Sequence, residues 1–541
     1  MTARTRTDVL LLAGFCAFLF FYGMGQFGLI GADEPRYAQV AREMLERHDW
    51  VTPTLGGRAW LEKPPLYYWQ AMLAYSVLGV TDVAARVPAA VDATLLVIGV
   101  YLFFRRFRRG VEVDAALITA SCAGVVGYAH AASMDMALAA SFGVGMLAWW
   151  AWRESRARLY LALFYACIAL GMLAKGPVAP FLAAAVIVVF ALAIREFRLV
   201  ARTLWLPGIL LFCAIALPWY FAVQMRNPQF FREFVLQHNL ERFSSDLYHH
   251  RQPFWFYLPV TALALVPWTV FVIAAIVESL RVWWAERRTV SAESDLELQF
   301  RVFACCWLAV PMIFFSLSQS KLPGYILPAV PAGPVLLADY LRQHLAKEED
   351  QPIPKWLVVL HALVAAGLMV PSVLAVYLVT QHRVPMGRAL FIALGVAIAL
   401  CVGIVMTLAS WLGLRMLRFV TLIPMVLSVA AVLKLGTVSI DQTLSARPLA
   451  LELASVETHQ LPLAVYGVSR EMEYGLTFCR NQTTVRYERD PVPAEEHLLV
   501  APAAWKANVA MKTAGRRVLY LGNYAPQDVD YYWVSAEGVR P

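Results

Sequence analysis

Charged residues are scarce in this chain: Asp, Glu, Lys and Arg make up 16% of its 541 residues, whereas 60% are hydrophobic. Soluble proteins carry about 25% charged residues, so a water-soluble globular protein is excluded, and the mean hydropathy of +0.58 agrees. The net charge of +8 does not predict a nucleic-acid partner, because arginines in cytoplasmic loops of a membrane protein would account for it.

The chain also lacks the usual cysteine patterns. Seven of its eight cysteines lie in or beside apolar runs, and Cys479 stands alone in a polar region. Without a CxxC pair, neither a disulfide framework nor a cysteine-based metal site is predicted. No A-x-A cleavage pattern follows the first apolar run, so we expect that run to be an uncleaved first span.

Thirteen apolar stretches are candidates to cross the ~30 Å hydrocarbon core of a membrane. A β-barrel is excluded because its strands would alternate apolar and polar residues. The sequence therefore predicts a polytopic α-helical membrane protein with about 13 transmembrane helices. The predicted spans are 9–30, 87–104, 115–131, 136–152, 159–174, 177–194, 203–223, 254–277, 302–317, 324–340, 356–379, 389–408 and 419–436.

The segment 66–80 is apolar, but its length does not show whether it crosses the membrane. The distribution of arginine in the loops decides between the two possibilities. If it lies at the membrane surface or re-enters, the arginine-bearing loops all fall on the cytoplasmic side, as the positive-inside rule requires. The N-terminus is then inside, and segments 31–86, 224–253 and 437–541 lie outside. A helix over 33–48, with apolar residues at helical spacing, is expected to lie in the plane of the interface.

A change in composition near residue 437 predicts a domain boundary. Residues 1–436 form a transmembrane domain with outer loops 31–86 and 224–253, and residues 437–541 form an external α/β domain. Short runs with β-strand character at 463–468, 497–501, 518–521 and 531–535 alternate there with helix-compatible stretches.

Charged residues gather at the predicted outer face, at or just above membrane depth. Each alone could be a snorkelling side chain or a helix cap, but together they predict a polar functional cavity. A transporter would instead place charge near the bilayer midplane within repeated halves; Asp92 is the main charge inside a span, and no repeat is found. The set comprises Asp33, Glu34, Arg36, Glu62, Lys63, Asp135, Lys175, His249, His250, Arg251 and Lys321.

Five motifs at these positions resemble the GT-C glycosyltransferases that use polyprenyl-phosphate sugars. GADEPRY at 31–37 resembles their first external loop, and EKPPLYYW at 62–69 resembles the lipid A aminoarabinose transferase branch. ARVPA at 85–89 resembles the R-L-P segment that opens the second span, with valine in place of leucine. Met134-Asp135 resembles the second acidic position of the superfamily, and LAKGP at 173–177 its K-G-P turn.

The resemblance covers essentially the whole chain and implies a GT-C fold with a periplasmic α/β domain. It implies transfer of 4-amino-4-deoxy-L-arabinose from undecaprenyl phosphate to lipid A phosphates at the outer face of a bacterial inner membrane. This modification of lipid A is expected to confer resistance to polymyxin and other cationic peptides. The lipid bilayer, the lipid-linked donor and lipid A are the expected partners of a monomer. Protein O-mannosyltransferases share the acidic positions, and a lipid flippase or a membrane scaffold are alternatives outside this superfamily.

The chemistry of such a donor suggests roles for the outer-face residues. Cleavage of the anomeric C–O bond leaves a phosphate that gains negative charge, which cations and hydrogen-bond donors stabilise. Asp33 is predicted to be the central catalytic carboxylate, Glu34 its second candidate, and Asp135 the residue that fixes their positions. The predicted donor-phosphate ligands are Lys63, Arg251, Lys321 and Tyr325.

A metal site is an open alternative at the same face. Glu62, His249 and His250 could together bind a divalent ion, although a scattered set of this kind is more often structural. No cofactor is otherwise predicted.

Overall fold

A computed structural model describes residues 3–234, 252–286, 296–346, 354–370, 372, 386–410 and 413–538. The chain divides into two compact units. The first comprises Met1–Tyr22, Leu61–Tyr67 and Arg86–Val432, and the second comprises Gly23–Trp60, Tyr68–Ala85 and Leu433–Pro541.

The described residues are mainly helical. The α-helices are Ala3–Cys16, Asp33–Glu46, Leu66–Leu78, Asp82–Phe107, Glu112–Ser121, Ala123–Ala129, Asp135–Ser155, Arg158–Lys175, Val178–Ala193, Arg198–Thr203, Leu206–Arg226, Tyr257–Ala264, Thr269–Glu286, Leu296–Leu317, Ala332–Ala346, Lys355–Gly367, Met386–Leu408, Leu417–Ala431, Thr437–Leu444, Arg447–Val456, Arg470–Arg480 and Lys506–Lys512. Ala17–Phe21 and Val432–Gly436 are π-helical, and Pro323–Ala329 is a 3-10 helix.

Seven helices of the described residues are long and apolar enough to cross a membrane, or nine if each of two bent pairs counts as one span. The pairs bend by 62° between Ser121 and Ala123 and by 114° between Ala264 and Thr269. Helices are expected for these runs because no water is present in the bilayer core to satisfy backbone N–H and C=O groups. A multi-pass helical membrane protein is thus confirmed, whereas spans 9–30, 136–152, 177–194 and 356–379 remain predictions.

Aromatic rings fill the core of the first unit. Trp149 and Trp150 are fully buried, and their ring centroids lie 5.3 and 5.2 Å from that of Phe303. Phe190 meets the same ring edge-on at 5.5 Å. Such contacts add to the free energy gained by burying large apolar side chains, so they fix the relative positions of the helices that carry the site.

The second unit contains a five-stranded mixed sheet. Its strand order is Val485–Arg486, Leu463–Val465, His497–Pro502, Val529–Val534 and Val518–Tyr524. The first three strands are parallel and the last two are antiparallel to their neighbours. Four of these strands were predicted from the sequence; the two-residue strand Val485–Arg486 was too short to recognise.

Helices of the second unit pack beside this sheet. Helix Arg470–Arg480 begins where the Ser469 hydroxyl accepts a hydrogen bond from the Met472 N–H at 3.3 Å, as an N-cap should. It packs against the predicted helix of segment 33–48, which runs from Asp33 to Glu46. The Arg42 guanidinium donates to the Phe478 carbonyl at 2.8 Å and stacks on the Phe478 ring.

Arg447 ties three segments of the second unit together. It forms ion pairs with Asp82 at 3.1 Å and with Asp441 at 2.8 Å. Asp441 in turn accepts a hydrogen bond from the Gly28 N–H at 2.7 Å. These contacts join segments 23–60 and 68–85 to residues beyond 433, so the second unit includes more of the chain than the predicted domain 437–541.

Candidate functional site

An ion pair between Asp135 and Lys175 forms the centre of a polar cluster in the first unit. Asp135 is the first residue of helix Asp135–Ser155 and Lys175 is the last residue of helix Arg158–Lys175. The carboxylate at a helix N-terminus and the ammonium at a helix C-terminus both suit the helix dipoles. Their side chains are only 18% and 13% exposed, so each charge depends on the other for solvation.

The 3-10 helix Pro323–Ala329 closes one side of this cluster. The Tyr325 ring centroid lies 4.7 Å from the Lys175 ammonium nitrogen, a distance typical of a cation–π contact. Gly324 approaches so closely that a Cβ atom there would lie 2.7 Å from the Tyr128 hydroxyl oxygen and 3.0 Å from the Asp135 carboxyl carbon. A side chain at this position would therefore displace the carboxylate or the phenol.

The EKPP motif reaches the same cluster through the residue that follows it. Leu66 packs on the small apolar group Ala137, Leu138, Ala174 and Ala179. Ala137 and Leu138 follow Asp135 in its helix, Ala174 precedes Lys175, and Ala179 lies in the next helix, Val178–Ala193. Pro64 and Pro65 are buried and Glu62 and Lys63 half-buried, so the segment 61–67 is held beside the ion pair.

Lys321 lies in the turn that precedes the 3-10 helix Pro323–Ala329. Its ammonium donates to the Ser318 carbonyl at 2.5 Å, and the residue is only 6% exposed. In the same turn, the Leu322 carbonyl accepts a hydrogen bond from the Tyr257 hydroxyl at 3.0 Å. Lys321 thus holds the turn that precedes Tyr325, and its role as a phosphate ligand remains a prediction.

The second unit holds the other predicted carboxylates. Asp33 pairs with Arg36 at 2.5 Å, with the carboxylate side chain 53% exposed and the arginine 13% exposed. The Arg36 guanidinium lies over the rings of Tyr37, Trp60 and Tyr474, with centroids 5.1, 5.1 and 5.7 Å away. The aromatic rings and the ion pair fix the arginine, which in turn orients Asp33.

Glu34 lies next to Asp33 but is largely buried, at 8% exposure. Its carboxylate accepts a hydrogen bond from the Ile30 N–H at 3.3 Å, across the turn that enters the helix. This contact holds Glu34 against the turn before the helix, and Asp33 is the more accessible carboxylate.

The remaining predicted residues, His249, His250 and Arg251, lie outside the described residues. The predicted metal set of Glu62, His249 and His250 is therefore not described as a whole. Within the part of the chain that the structure describes, no group of three or more His, Cys, Asp or Glu side chains is arranged to hold a metal ion.

Three aromatic or cationic neighbours were not assigned a role from the sequence. Lys175 was placed at the outer face but not given a role, and Tyr128 and Tyr474 were not recognised. The K-G-P turn at 175–177 could have indicated Lys175 as a site residue. No local signal identifies Tyr128 or Tyr474, because each meets its partners only through contacts between distant parts of the chain.

The architecture matches solved structures over nearly its whole length. ArnT from Cupriavidus metallidurans bound to undecaprenyl phosphate has a TM-score of 0.74 at 22% sequence identity, with 97% of each chain covered. The apo state of the same protein gives a TM-score of 0.73 at 20% identity. The fold is therefore that of the multi-pass GT-C membrane proteins, as the resemblance implied.

Sequence comparison identifies the family within this class. The model of the family "Dolichyl-phosphate-mannose-protein mannosyltransferase" matches residues 7–232. The undecaprenyl phosphate-alpha-4-amino-4-deoxy-L-arabinose arabinosyl transferase of Pseudomonas savastanoi is 31% identical over 375 residues, covering 68% of this chain and 67% of the relative. The chain belongs to this arabinosyl transferase family. The relative from Pseudomonas aeruginosa is 34% identical, and the match spans 61% of its length and 63% of this chain.

Proposed function

We propose that this chain transfers 4-amino-4-deoxy-L-arabinose from undecaprenyl phosphate to lipid A phosphate groups. The reaction takes place at the periplasmic face of a bacterial inner membrane and lowers the negative charge of lipid A, which gives resistance to polymyxin and other cationic peptides. Family membership supports the donor and the sugar, since the names of the relatives state an undecaprenyl-phosphate-linked aminoarabinose and an arabinosyl transfer.

The observation that carries the proposal is the convergence of distant motifs in the first unit. Tyr325 contacts Lys175 of the Asp135–Lys175 ion pair, and Leu66, which follows the EKPP residues, packs on apolar residues next to that pair in the chain. Cations and a phenol beside a carboxylate, at helix ends, suit a substrate whose phosphate becomes more negative during the reaction.

The transfer breaks the anomeric C–O bond of the donor and forms a bond from that carbon to a lipid A phosphate oxygen. The electron pair of the broken bond stays on undecaprenyl phosphate, which leaves with the additional charge. Lys63 is the proposed ligand of that leaving phosphate, with Tyr325, Lys321 and Arg251 as further donors. These contacts accelerate the transfer only if they are stronger in the transition state, where the leaving phosphate gains negative charge, than in the bound donor.

The acceptor needs little help from a general base. A phosphate monoester has a second pKa of about 6 and is already an anionic nucleophile at neutral pH. Asp33 is therefore proposed to orient the substrates and to stabilise the positive charge on the anomeric carbon. Asp135 and Lys175 are proposed to shape the polar cluster of the first unit. Glu62, His249 and His250 are the proposed ligands of a divalent ion.

Replacing Lys63 tests the leaving-group role. In cells that depend on this chain, mass spectrometry of lipid A should show a pentosamine-sized mass increase. Lys63→Ala should reduce it by about 100-fold or more, the loss typical of one removed transition-state donor. Lys63→Arg should retain part of the activity, because the charge survives in a different shape.

Lys512→Ala is the matched control, because Lys512 is exposed and belongs to the second unit; it should leave lipid A modification unchanged. Normal modification by abundant Lys63→Ala protein would contradict the assignment. Unmodified lipid A in cells that express the unaltered chain and supply the donor would contradict the proposed function itself.

Gly324→Ala should show how closely the site is packed. The added methyl group meets the Tyr128 hydroxyl and the Asp135 carboxyl, and a displacement of about 1 Å can lower a rate ~100-fold. Transfer per folded protein should fall by 10- to 100-fold, as an order-of-magnitude expectation. Gly395→Ala, where a Cβ meets nothing within 4 Å, is the control. Equal transfer rates for both variants would show that the close contact of Gly324 with Tyr128 and Asp135 is not needed for activity.

The match to the mannosyltransferase family model favours one second candidate: transfer of a sugar from a polyprenyl phosphate to Ser or Thr hydroxyls of proteins. The two functions differ in their acceptor. A sugar label that appears in protein rather than in lipid A would favour this alternative.

A further inference from the structure

A cavity of about 370 Å³ lies wholly within the second unit. It is found at the carboxyl ends of two adjacent parallel strands, Leu463–Val465 and His497–Pro502. Residues 467–469, which follow the first of these strands, and Pro502, which ends the second, line it. None of the site residues described above contributes to this lining, so the cavity is a separate feature of the described chain.

The chain leaves these two strands toward opposite edges of the sheet. From Leu463–Val465 it continues through helix Arg470–Arg480 to the strand at one edge. From His497–Pro502 it continues through helix Lys506–Lys512 to the strands at the other edge. The crevice outside the carboxyl ends of strands at such a switch point is where open α/β sheets bind their ligands. The position of the cavity in the fold therefore indicates a binding site.

The cavity does not suit a phosphate, although phosphates often bind where a strand leads into a helix. The Gly467 N–H already donates to the Glu488 carboxylate at 2.6 Å, and the Met472 N–H donates to the Ser469 hydroxyl at 3.3 Å. Glu471 adds a negative charge in the first turn of the helix. An anion would find these backbone donors occupied and would meet a like charge.

The polar groups of the lining are mainly hydrogen-bond acceptors. Glu471 and Asp528 line the cavity with exposed carboxylates, and no described residue forms an ion pair or a side-chain hydrogen bond with either. Gln527 donates its amide N–H groups to the Gln442 and Ser445 carbonyls at 2.9 and 2.8 Å, which leaves its amide oxygen as an acceptor. The lining thus suits a cation with several N–H or O–H groups.

The basic residues nearest in sequence do not compensate these carboxylates. Arg470 and Lys506 are both exposed, and the Lys506 ammonium lies 5.9 Å from the centroid of the Tyr520 ring. Among the described residues, no Lys, Arg or His lines the cavity. The charged groups that line it are therefore all negative.

Apolar side chains complete the lining. Val468, Met472 and Val529 are largely buried and belong to one hydrophobic cluster of the second unit. Small-molecule sites typically have volumes of about 300–1,000 Å³ and combine such apolar surface with a few polar groups. The cavity therefore has the size and the lining for a small molecule with one apolar face.

We infer that this cavity binds an aminosugar. The ammonium group binds at the Glu471 and Asp528 carboxylates, a hydroxyl donates to the Gln527 amide oxygen, and the C–H face of the ring packs on Val468 and Met472. The identity of the sugar, 4-amino-4-deoxy-L-arabinose, rests on the proposed function. The selection of an ammonium over a neutral sugar rests on the lining alone.

The test titrates the purified full-length protein in detergent with free 4-amino-4-deoxy-L-arabinose and, separately, with L-arabinose, by isothermal titration calorimetry. The aminosugar should bind about tenfold more tightly or better, the ratio that charge-assisted hydrogen bonds to exposed carboxylates together supply. Equal binding of the two sugars, or no binding of the aminosugar, would overturn the inference.

The double variant Glu471→Gln, Asp528→Asn should remove this preference. Both substitutions keep the size of the side chain, and asparagine tolerates the backbone of Asp528, whose φ is +51°. Glu495→Gln, Glu496→Gln is the control, because it removes two charges from the same unit outside the described lining; it should leave the aminosugar affinity unchanged. An unchanged preference in the Glu471→Gln, Asp528→Asn protein would overturn the assignment to this cavity.

Asp33→Asn separates this cavity from the candidate catalytic carboxylate. Aminosugar binding should persist in that variant, and its loss there would place the bound sugar at the candidate active site and overturn the inference. The proposed function can fail independently: unmodified lipid A in cells together with aminosugar binding to this cavity would contradict the transfer and support the site. Modified lipid A without binding to the cavity would overturn only the present inference.

Discussion

Asp33→Asn is expected to lower lipid A modification about a thousandfold while the protein reaches the membrane at normal levels. The substitution keeps the size of the side chain and removes its charge. Carboxylates that act directly in a reaction typically contribute 10²- to 10⁴-fold. Asp33 is the accessible member of its pair, at 53% exposure against 13% for Arg36, so the carboxylate is available to substrates while the arginine is held by aromatic rings.

Asp49→Asn is the matched control for this experiment. Asp49 also pairs with an arginine, Arg47, at 2.9 Å, and it belongs to the same unit. Its replacement should change activity only in step with protein abundance. If Asp33 only stabilised the first turn of its helix, Asp33→Asn would likewise change activity only in step with protein abundance. Abundant Asp33→Asn protein with near-normal activity would refute the catalytic assignment.

The second large effect is expected at the ion pair of the first unit. Asp135→Asn and Lys175→Met should each lose activity by about 100-fold or more. Removing one partner of a largely buried pair leaves an uncompensated charge, which typically costs about 3–5 kcal/mol. Each single variant should therefore also lower the thermal stability of the purified protein.

The double variant separates pairing from independent roles. If Asp135 and Lys175 act as a pair, the Asp135→Asn, Lys175→Met protein should retain at least the activity of the less active single variant. It should also retain at least the thermal stability of the less stable one. Fully additive losses would show that the two residues act separately.

Glu457→Gln serves as the control, because it breaks a buried pair with Arg480 at 2.9 Å in the second unit. It should lower stability and abundance without changing the activity of the protein that remains folded.

Much of the helical structure follows directly from the sequence. Long apolar runs predict helices because the bilayer leaves backbone groups no other partners, and nine of the thirteen predicted spans correspond to helices or bent pairs that satisfy the length and hydropathy of a crossing. The bends between Ser121 and Ala123 and between Ala264 and Thr269 were not predicted, since hydropathy averages over a whole run and does not register its direction.

The sequence singled out candidate site residues, and their roles stay predictions. Asp33, Asp135, Lys63 and Tyr325 were recognised because charge or motif made them conspicuous, and the structure describes their surroundings. Lys321 was recognised by the same reasoning, yet its ammonium is bonded to the Ser318 carbonyl. A sequence shows that a charge lies near the membrane surface but not which neighbouring carbonyl it can reach.

The sequence by itself determined the class of protein, because a hydrophobic content of 60% in span-length runs is stable only in a membrane, and the DE, EKPP and K-G-P motifs indicated its family. Only the tertiary structure decided which residues meet. Lys175 joins Asp135 across 40 positions, and Leu66, which follows the EKPP residues, packs on Ala137, Leu138, Ala174 and Ala179 from three other helices. Such contacts depend on how helices pack, and packing is fixed by the shapes of many side chains at once, which no local pattern records.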